Sequence, residues 1–259
     1  MEGHARPRPS TADLRHSRSH RHRRQGVHAR CHERGSVLHA PRPGPVDQFP
    51  VLDGRETGLK SYRSIIFRHF PRSGIPPVFD SWAEFNQFVE VLVKTNCIPD
   101  GTKLWWDVRP NHRYPTLEFR LCDVCTRVDE AVCIAAIFQA LIAKLWKLRR
   151  DNLTFRHYPM ALIEENKWRA VRYGLDGNLL DLGKQTEKPA SHLIREFLTW
   201  FLSDVLDDLG SRKEVEYAFD ILENGSSADR QLATFHKTGD LKDVVDQLIR
   251  ESEEGVLPN

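Results

Sequence analysis

Two short segments carry acidic and basic residues at alternating positions, a pattern suited to binding a charged ligand or a metal ion. The first covers residues 104–109 and the second covers residues 116–121. In both, apolar and polar residues alternate, which predicts two half-buried β-strands. Because the link between them, residues 110–115, is short, we expect an antiparallel hairpin.

The predicted polar face of this hairpin combines two carboxylates with two guanidinium groups. Side chains alternate along a strand, so Asp107 and Arg109 share a face of the first strand, while Glu118 and Arg120 share a face of the second. The opposite faces are apolar, and we expect them to pack on helices. The polar face is therefore the candidate site.

The register between the two strands decides what this face does, and the sequence leaves two registers open. In one, Asp107 lies opposite Glu118, an unfavourable pair unless a cation sits between the carboxylates; a hard divalent cation with oxygen ligands would satisfy it. In the other, shifted by two residues, Arg109 lies opposite Glu118 and Asp107 lies opposite Arg120. That register gives two cross-strand ion pairs on a solvated face.

Several segments around the hairpin are predicted to be helical. Ser81 and Glu84 have the spacing of a capping box, and Asn96 is a plausible stop for the helix that follows Ser81. Val128–Arg150 is a long and almost wholly apolar segment, so we expect a buried helix capped by Thr126. Further helices are predicted at Met160–Tyr173 and at residues 191–209, 211–224, 228–237 and 241–253.

The first 45 residues differ in composition from the rest of the chain. They contain ten Arg, no Lys and three acidic residues, whereas the remainder is mildly acidic. Residues 1–50 show almost no apolar periodicity, so we interpret them as a disordered basic leader. Three readings stay open for it: a flexible tail, an arm that binds nucleic acid, or an out-of-frame translation of GC-rich DNA.

Cysteine usage and hydropathy point to a protein of the reducing cytoplasm. The five Cys are an odd number and suggest no disulfide framework. Cys122 and Cys125 form a lone Cys-x-x-Cys, which we interpret as ordinary packing rather than a zinc site. The longest apolar stretch, residues 131–146, is interrupted by Gln139 and Lys144, so no membrane span is predicted.

Six blocks of sequence, in consecutive order, resemble the carboxylate–amine ligase family related to bacterial glutamate–cysteine ligase. The similarity runs from about Gly54 to about Arg250. Six blocks in the same order as in the family are more specific than any single block. Glu118, Arg120 and Asp123 also resemble a pattern of the glutamine synthetase superfamily. The blocks are GRETGLKSYRS (54–64), PRSGIP (71–76), WWDVRP (105–110), PTLEFRLCD (115–123), EENKWRA (164–170) and SADRQL (227–232).

The resemblance implies an α+β fold, with an antiparallel, glutamine synthetase-like sheet covered by helices and a mostly helical C-terminal region. It also implies ATP, Mg²⁺ and the small-molecule substrates glutamate and cysteine, or another amine. The γ-carboxylate of glutamate would attack the γ-phosphate of ATP, and the amine would then displace phosphate to form an amide. Glu118 is expected to bind the metal, together with Asp107.

The guanidinium groups are the expected ligands of phosphate or of the substrate carboxylate. Arg109 and Arg120 lie on the predicted polar face, and their forked donors match oxyanions. Arg63 is expected to do the same job, and Arg230 follows a Gly-Ser-Ser turn that could approach phosphate.

Family members are roughly twice as long as the matched part, so we expect residues 51–259 to be the C-terminal part of the ligase domain. Such a truncated chain would carry about half of the active site and could be inactive alone. The alternative function is a non-catalytic interaction protein whose basic arm binds nucleic acid. The sequence leaves formation of a homo-oligomer open.

Overall fold

The computed structural model describes residues 50–52, 55–111 and 114–254. Apart from Pro50, the predicted leader lies outside the described residues. The helices are α1 (Arg63–Arg68), α2 (Trp82–Lys94), α3 (Val128–Arg150), α4 (Met160–Tyr173), α5 (Ala190–Glu196), α6 (Ser203–Leu209), α7 (Arg212–Asn224), α8 (Ser227–Thr238) and α9 (Leu241–Glu253). The strands are β1 (Val51–Leu52), β2 (Arg55–Glu56), β3 (Ser73–Gly74), β4 (Trp105–Trp106), β5 (Val108–Pro110), β6 (Leu117–Phe119), β7 (Asn178–Asp181) and β8 (Thr186–Pro189).

The described strands pair in twos rather than in one continuous sheet. The pairs β1–β2, β5–β6 and β7–β8 are antiparallel, and β3–β4 is parallel. Together with the helices they confirm the predicted α+β class and the mostly helical C-terminal region.

The strand predicted over residues 104–109 is two strands, because the chain changes partner at Asp107. The backbone N–H of Asp107 donates to the carbonyl of Gly74 (2.7 Å), and its carbonyl accepts from the N–H of Arg120 (2.7 Å). Thus β4 pairs with β3, and β5 pairs with β6. Leu104, Trp106 and Val108 are all buried, as expected for the apolar face, but Asp107 and Arg109 on the other face are buried as well (8 % exposed each), so the prediction of a half-buried strand is wrong here.

Helix α3 is the centre of the largest core. Its buried side chains, among them Cys133, Ile137 and Leu141, pack with residues from α5, α6 and α7. By length and apolar content alone α3 is able to cross a membrane, contrary to the expectation from the sequence. A core helix passes the same test, so this is weak evidence for a span.

Two predicted helix boundaries have different outcomes. The hydroxyl of Ser81 accepts from the N–H of Glu84 (3.1 Å), and Asn96 has a φ of +58° just beyond α2, so the start and stop of this helix are confirmed. The cap predicted for α3 is wrong. Arg127 is the N-cap residue, while the hydroxyl of Thr126 donates to Ser227 (2.9 Å) and so ties the start of α3 to α8.

The C-terminal half departs from the prediction in two places. The helix expected over residues 191–209 is interrupted by a π-helical turn, Phe197–Phe201, between α5 and α6. The β7–β8 hairpin was not predicted. Its turn is held by Asp181, whose carboxylate accepts from the backbone N–H groups of Gly183 (3.1 Å) and Lys184 (3.0 Å).

Candidate active site

The β5–β6 pair has the second of the two registers that the sequence left open. Arg109 lies opposite Glu118, Val108 opposite Phe119 and Pro110 opposite Leu117. The register that would set Asp107 against Glu118 is therefore wrong. Asp107 and Glu118 do not face each other across the strands, so this pairing gives no support to a cation shared between their carboxylates.

Most of the side-chain donors of Arg109 make hydrogen bonds within the protein. Its Nε and Nη2 donate to one oxygen of Glu118 (2.9 and 2.8 Å), while Nη1 donates to the carbonyls of Leu104 (2.8 Å) and Thr102. Its side chain is only 10 % exposed. Because most of its donors are used inside the protein, Arg109 orients Glu118 and has little capacity left for a ligand.

Within the described residues, fewer donors of Arg120 and Arg63 than of Arg109 make hydrogen bonds. Arg120 Nη1 donates to the second oxygen of Glu118 (2.7 Å), but its Nε is buried without a hydrogen-bond partner among the described residues. Arg63 donates to the backbone carbonyl of Arg120 (3.1 Å). The guanidinium of Arg63 stacks over the ring of Phe67 at 4.2 Å, and that of Arg120 lies 6.0 Å from the same ring.

Arg63, Arg109, Glu118 and Arg120 thus form one group, which we call the charge cluster. Burial alone would raise the pKa of Glu118, but hydrogen bonds from Arg109 and Arg120 outweigh that effect and lower its pKa below 4.5. The buried carboxylate of Asp123 lies 4.0 Å from Arg63. With Asp123 included, three guanidinium groups face two carboxylates, which leaves one positive charge in excess.

Asp107 has a different partner from the one that either register predicted. Both of its carboxylate oxygens accept from the ammonium of Lys167 on α4 (2.9 and 2.7 Å). The two side chains are 10 % and 11 % exposed. Reasoning from the strands missed Lys167, although it lies in a block that carries the family resemblance.

Arg230 lies in a separate network that joins three helices. It donates to Glu130 of α3 (2.8 Å) and to both oxygens of Glu251 on α9 (2.9 Å each). Glu130 and Glu251 are buried, so the guanidinium is their counter-charge. The structure gives Arg230 an evident internal role, and its predicted contact with phosphate stays a prediction.

Two further sets of residues bear on metal binding. Within the part of the chain that the structure describes, no three or more His, Cys, Asp or Glu side chains are grouped to hold a metal ion. Neither Cys122 nor Cys125 forms a disulfide within the described residues. Burial raises the pKa of Cys125 to about 11, so this thiol is poorly disposed to become a thiolate ligand at neutral pH.

Comparison with known proteins identifies the family. Residues 49–247 match the model of glutamate-cysteine ligase family 2. Proteins named "Putative glutamate--cysteine ligase 2" are similar to this chain: that of Solibacter usitatus is 56 % identical over 208 residues, that of Herpetosiphon aurantiacus 55 % over 207 and that of Sorangium cellulosum 52 % over 207. Each alignment covers 80 % of this chain and 54–55 % of the relative, so the chain spans about half the length of the curated relatives it matches.

The charge cluster, Lys167 and Arg230 all lie inside the matched residues, and so does every helix from α1 to α8. A family match over this much of the chain leaves no doubt about descent. The chain belongs to glutamate-cysteine ligase family 2.

Proposed function

We propose that the chain contributes the oxyanion-binding part of an ATP-dependent carboxylate–amine ligase of the glutamate–cysteine ligase type. The observation that carries this proposal is that the arginines of the charge cluster differ in how many of their donors are already hydrogen-bonded. Most donors of Arg109 are hydrogen-bonded within the protein. Among the described residues, Arg120 and Arg63 have donors without such a bond, one of them the buried Nε of Arg120. Buried donors are costly to leave unpaired unless a ligand uses them.

In the proposed reaction, a carboxylate oxygen of glutamate attacks the γ-phosphorus of ATP and ADP leaves. The nitrogen of cysteine, or of another amine, then attacks the acyl carbon, phosphate leaves and the nitrogen loses a proton. During the first step the transferring phosphoryl group carries negative charge spread over its three oxygens. Arg120 and Arg63 would bind and orient those oxygens and stabilise that charge.

Among the residues present, one carboxylate is suited to be a ligand of Mg²⁺. Mg²⁺ commonly takes one or two carboxylates and completes its shell with water and phosphate oxygens, and when bound it neutralises phosphate charge. Glu118 is a third exposed and is already held in one orientation by Arg109. We therefore propose Glu118 as the metal ligand, and Asp107 as a residue that positions β5 through Lys167.

The wider setting of this proposal follows the family. We propose that the short strands belong to a glutamine synthetase-like sheet, and that the protein acts on small molecules in the cytoplasm. The alternative, a nucleic-acid-binding arm, rests on residues 1–50, of which all but Pro50 lie outside the described residues. Neither the described residues nor the comparisons support it.

Equilibrium binding of MgATP tests the proposal. The parent chain is compared with Arg120→Met and Glu118→Gln, and with Arg150→Met as a matched control, because Arg150 is an exposed arginine whose ion-pair partner among the described residues is its neighbour Asp151. We expect the first two variants to bind MgATP at least about tenfold more weakly, the effect of about 1.4 kcal/mol from one charge-assisted contact. Arg150→Met should bind like the parent.

Two outcomes would overturn the proposal. Either the parent chain fails to bind MgATP, or Arg120→Met and Glu118→Gln bind it as tightly as Arg150→Met does. Circular dichroism of each variant distinguishes lost binding from lost folding. An amide-forming assay with glutamate, cysteine and ATP then tests the complete reaction.

A further inference from the structure

A cavity of about 350 Å³ lies between the β7–β8 hairpin and the π-helical turn, and none of its lining residues belongs to the charge cluster. This volume is near the lower end of the range for small-molecule sites, which suits a molecule of one or two rings. The hairpin contributes Leu180 and Lys184, and the turn contributes Phe197, Trp200 and Phe201.

The wall of the cavity is rich in aromatic rings. Phe201 stacks on Phe197 (centroids 5.5 Å apart, 18° between planes) and meets Phe155 edge to face (5.6 Å, 81°). Tyr158 and Trp200 complete the aromatic lining, and the Trp200 side chain is 74 % exposed at the surface. Ring faces carry negative electrostatic potential, so a ring-lined cavity favours cations over anions.

The wide turn itself brings these rings to the cavity. The N–H of Leu202 donates to the carbonyl of Phe197 five residues earlier (3.0 Å), which is the hydrogen bond of a π-helix. Single π-turns inside α-helices are rare and are frequent at functional sites. Here the turn separates α5 from α6 and supplies three of the five aromatic residues.

The charged groups of the lining add to the preference for cations. They are Asp181, Glu196 and Lys184, which leave one negative charge in excess. The ammonium of Lys184 lies 3.2 Å from Glu196 and 3.6 Å from Asp181, but its side chain is 56 % exposed. An exposed ion pair of this kind contributes little, so an incoming ammonium displaces Lys184 at small cost.

One other cation lies near the rings. The ammonium of Lys144 is 5.5 Å from the centroid of Phe201, but both oxygens of Asp204 accept from it at 2.8 Å. The ammonium of Lys147 also lies 2.8 Å from Asp204, so two ammonium groups share this carboxylate, and none of these three side chains lines the cavity.

We propose that this cavity binds a small organic cation with a flat apolar body, such as an arylalkyl ammonium ion. The apolar body would lie among the rings, and the ammonium would take the place of Lys184 beside Glu196. The site is independent of the proposed ligase chemistry, because its residues do not contact a nucleotide in that proposal.

Fluorine NMR titration of the full chain with 4-fluorophenethylammonium tests the proposal. Two probes with the same ring are compared: neutral 2-(4-fluorophenyl)ethanol and anionic 3-(4-fluorophenyl)propionate. We expect affinity to fall from cation to neutral molecule to anion. Trp200→Ala should weaken all three, and it should leave MgATP binding unchanged.

Two charge variants sharpen the test. Glu196→Gln should weaken the cation by up to about fivefold, and Lys184→Met should strengthen it by a similar factor, as for one partly exposed ion pair. Glu90→Gln, which removes an exposed carboxylate from α2, is the matched control and should change nothing. The proposal is overturned if the cation does not bind, if the anion binds as tightly, or if Lys184→Met weakens the cation.

Discussion

Replacement of Arg109 by methionine separates an arginine that supports the site from one that serves a ligand. Methionine keeps much of the apolar length of the side chain but removes every donor. The change abolishes two contacts to Glu118 and leaves the carbonyls of Leu104 and Thr102 without their guanidinium. Each charge-assisted bond is worth about 1.5–3 kcal/mol, and each buried acceptor left unpaired costs about 1–3 kcal/mol.

These terms do not add in full, because Glu118 keeps its bond to Arg120 and is a third exposed. We therefore expect Arg109→Met to lower the free energy of unfolding by about 3–5 kcal/mol, the usual cost of breaking a buried charged contact. In urea, with a slope near the upper end of about 1–3 kcal/mol/M, the midpoint should fall by roughly 1–2 M.

The assay is urea unfolding followed by circular dichroism, with Arg150→Met as the control. Arg150 is 64 % exposed and, in the part of the chain that the structure describes, pairs with Asp151 alone, so its loss should change stability by at most about 0.5 kcal/mol. Arg120→Met should cost about 1 kcal/mol of stability while abolishing most of the MgATP affinity. If Arg109→Met lowers the free energy of unfolding by less than about 1 kcal/mol, the conclusion that Arg109 supports the site through its hydrogen bonds is refuted.

Three further changes test other contacts. Arg230→Met removes the counter-charge of Glu130 and the nearer of the two arginines beside Glu251, which keeps Arg127 at 3.9 Å, and it should lower the unfolding free energy by about 3–5 kcal/mol, measured in urea. Asp229→Ala removes the carboxylate that accepts from the N–H and hydroxyl of Ser226 at the start of α8; thermal unfolding should show a loss of about 1–2 kcal/mol. Because the pKa of Glu118 is lower in the folded state, its contribution is present above pH 4.5 and is lost as the pH falls through the folded pKa. Acid titration of stability should therefore be shallower for Glu118→Gln than for the parent, and identical slopes would contradict the role given to its two arginines.

The sequence predicted which side chains of the β5–β6 hairpin share a face, but it did not decide the register between the strands. The alternation of side chains explains both results. Side chains alternate with a period of two, so Leu104, Trp106 and Val108 share the apolar face, although Asp107 and Arg109 on the other face are buried too. A register shift of two residues preserves that alternation, so the apolar pattern has the same energy in either register. The choice between Arg109 and Asp107 opposite Glu118 depends on the link and on the surrounding fold.

The role of Arg109 was hidden because it depends on a neighbouring turn rather than on the strand. The 3₁₀ turn Gly101–Lys103 folds back so that its carbonyls, with that of Leu104, meet the guanidinium. Lys167 was hidden for a similar reason, since sixty residues separate it from Asp107. Local patterns identify charged residues, but only the packed structure decides which of them neutralise each other.

Helix α4 shows why the two hairpins should be considered together. Its adjacent residues Asn166 and Lys167 point to different partners, as neighbours on a helix do. The amide of Asn166 donates to the carbonyl of Leu180 (2.9 Å) and accepts from its N–H (2.7 Å), which holds β7, while Lys167 holds Asp107 beside β5. Helix α4 therefore contacts both Asp107, next to the strand that carries Arg109, and strand β7, which lines the aromatic cavity. A shift of α4 large enough to break either contact would disturb both sites, so their geometries are mechanically linked even though their proposed ligands are chemically unrelated.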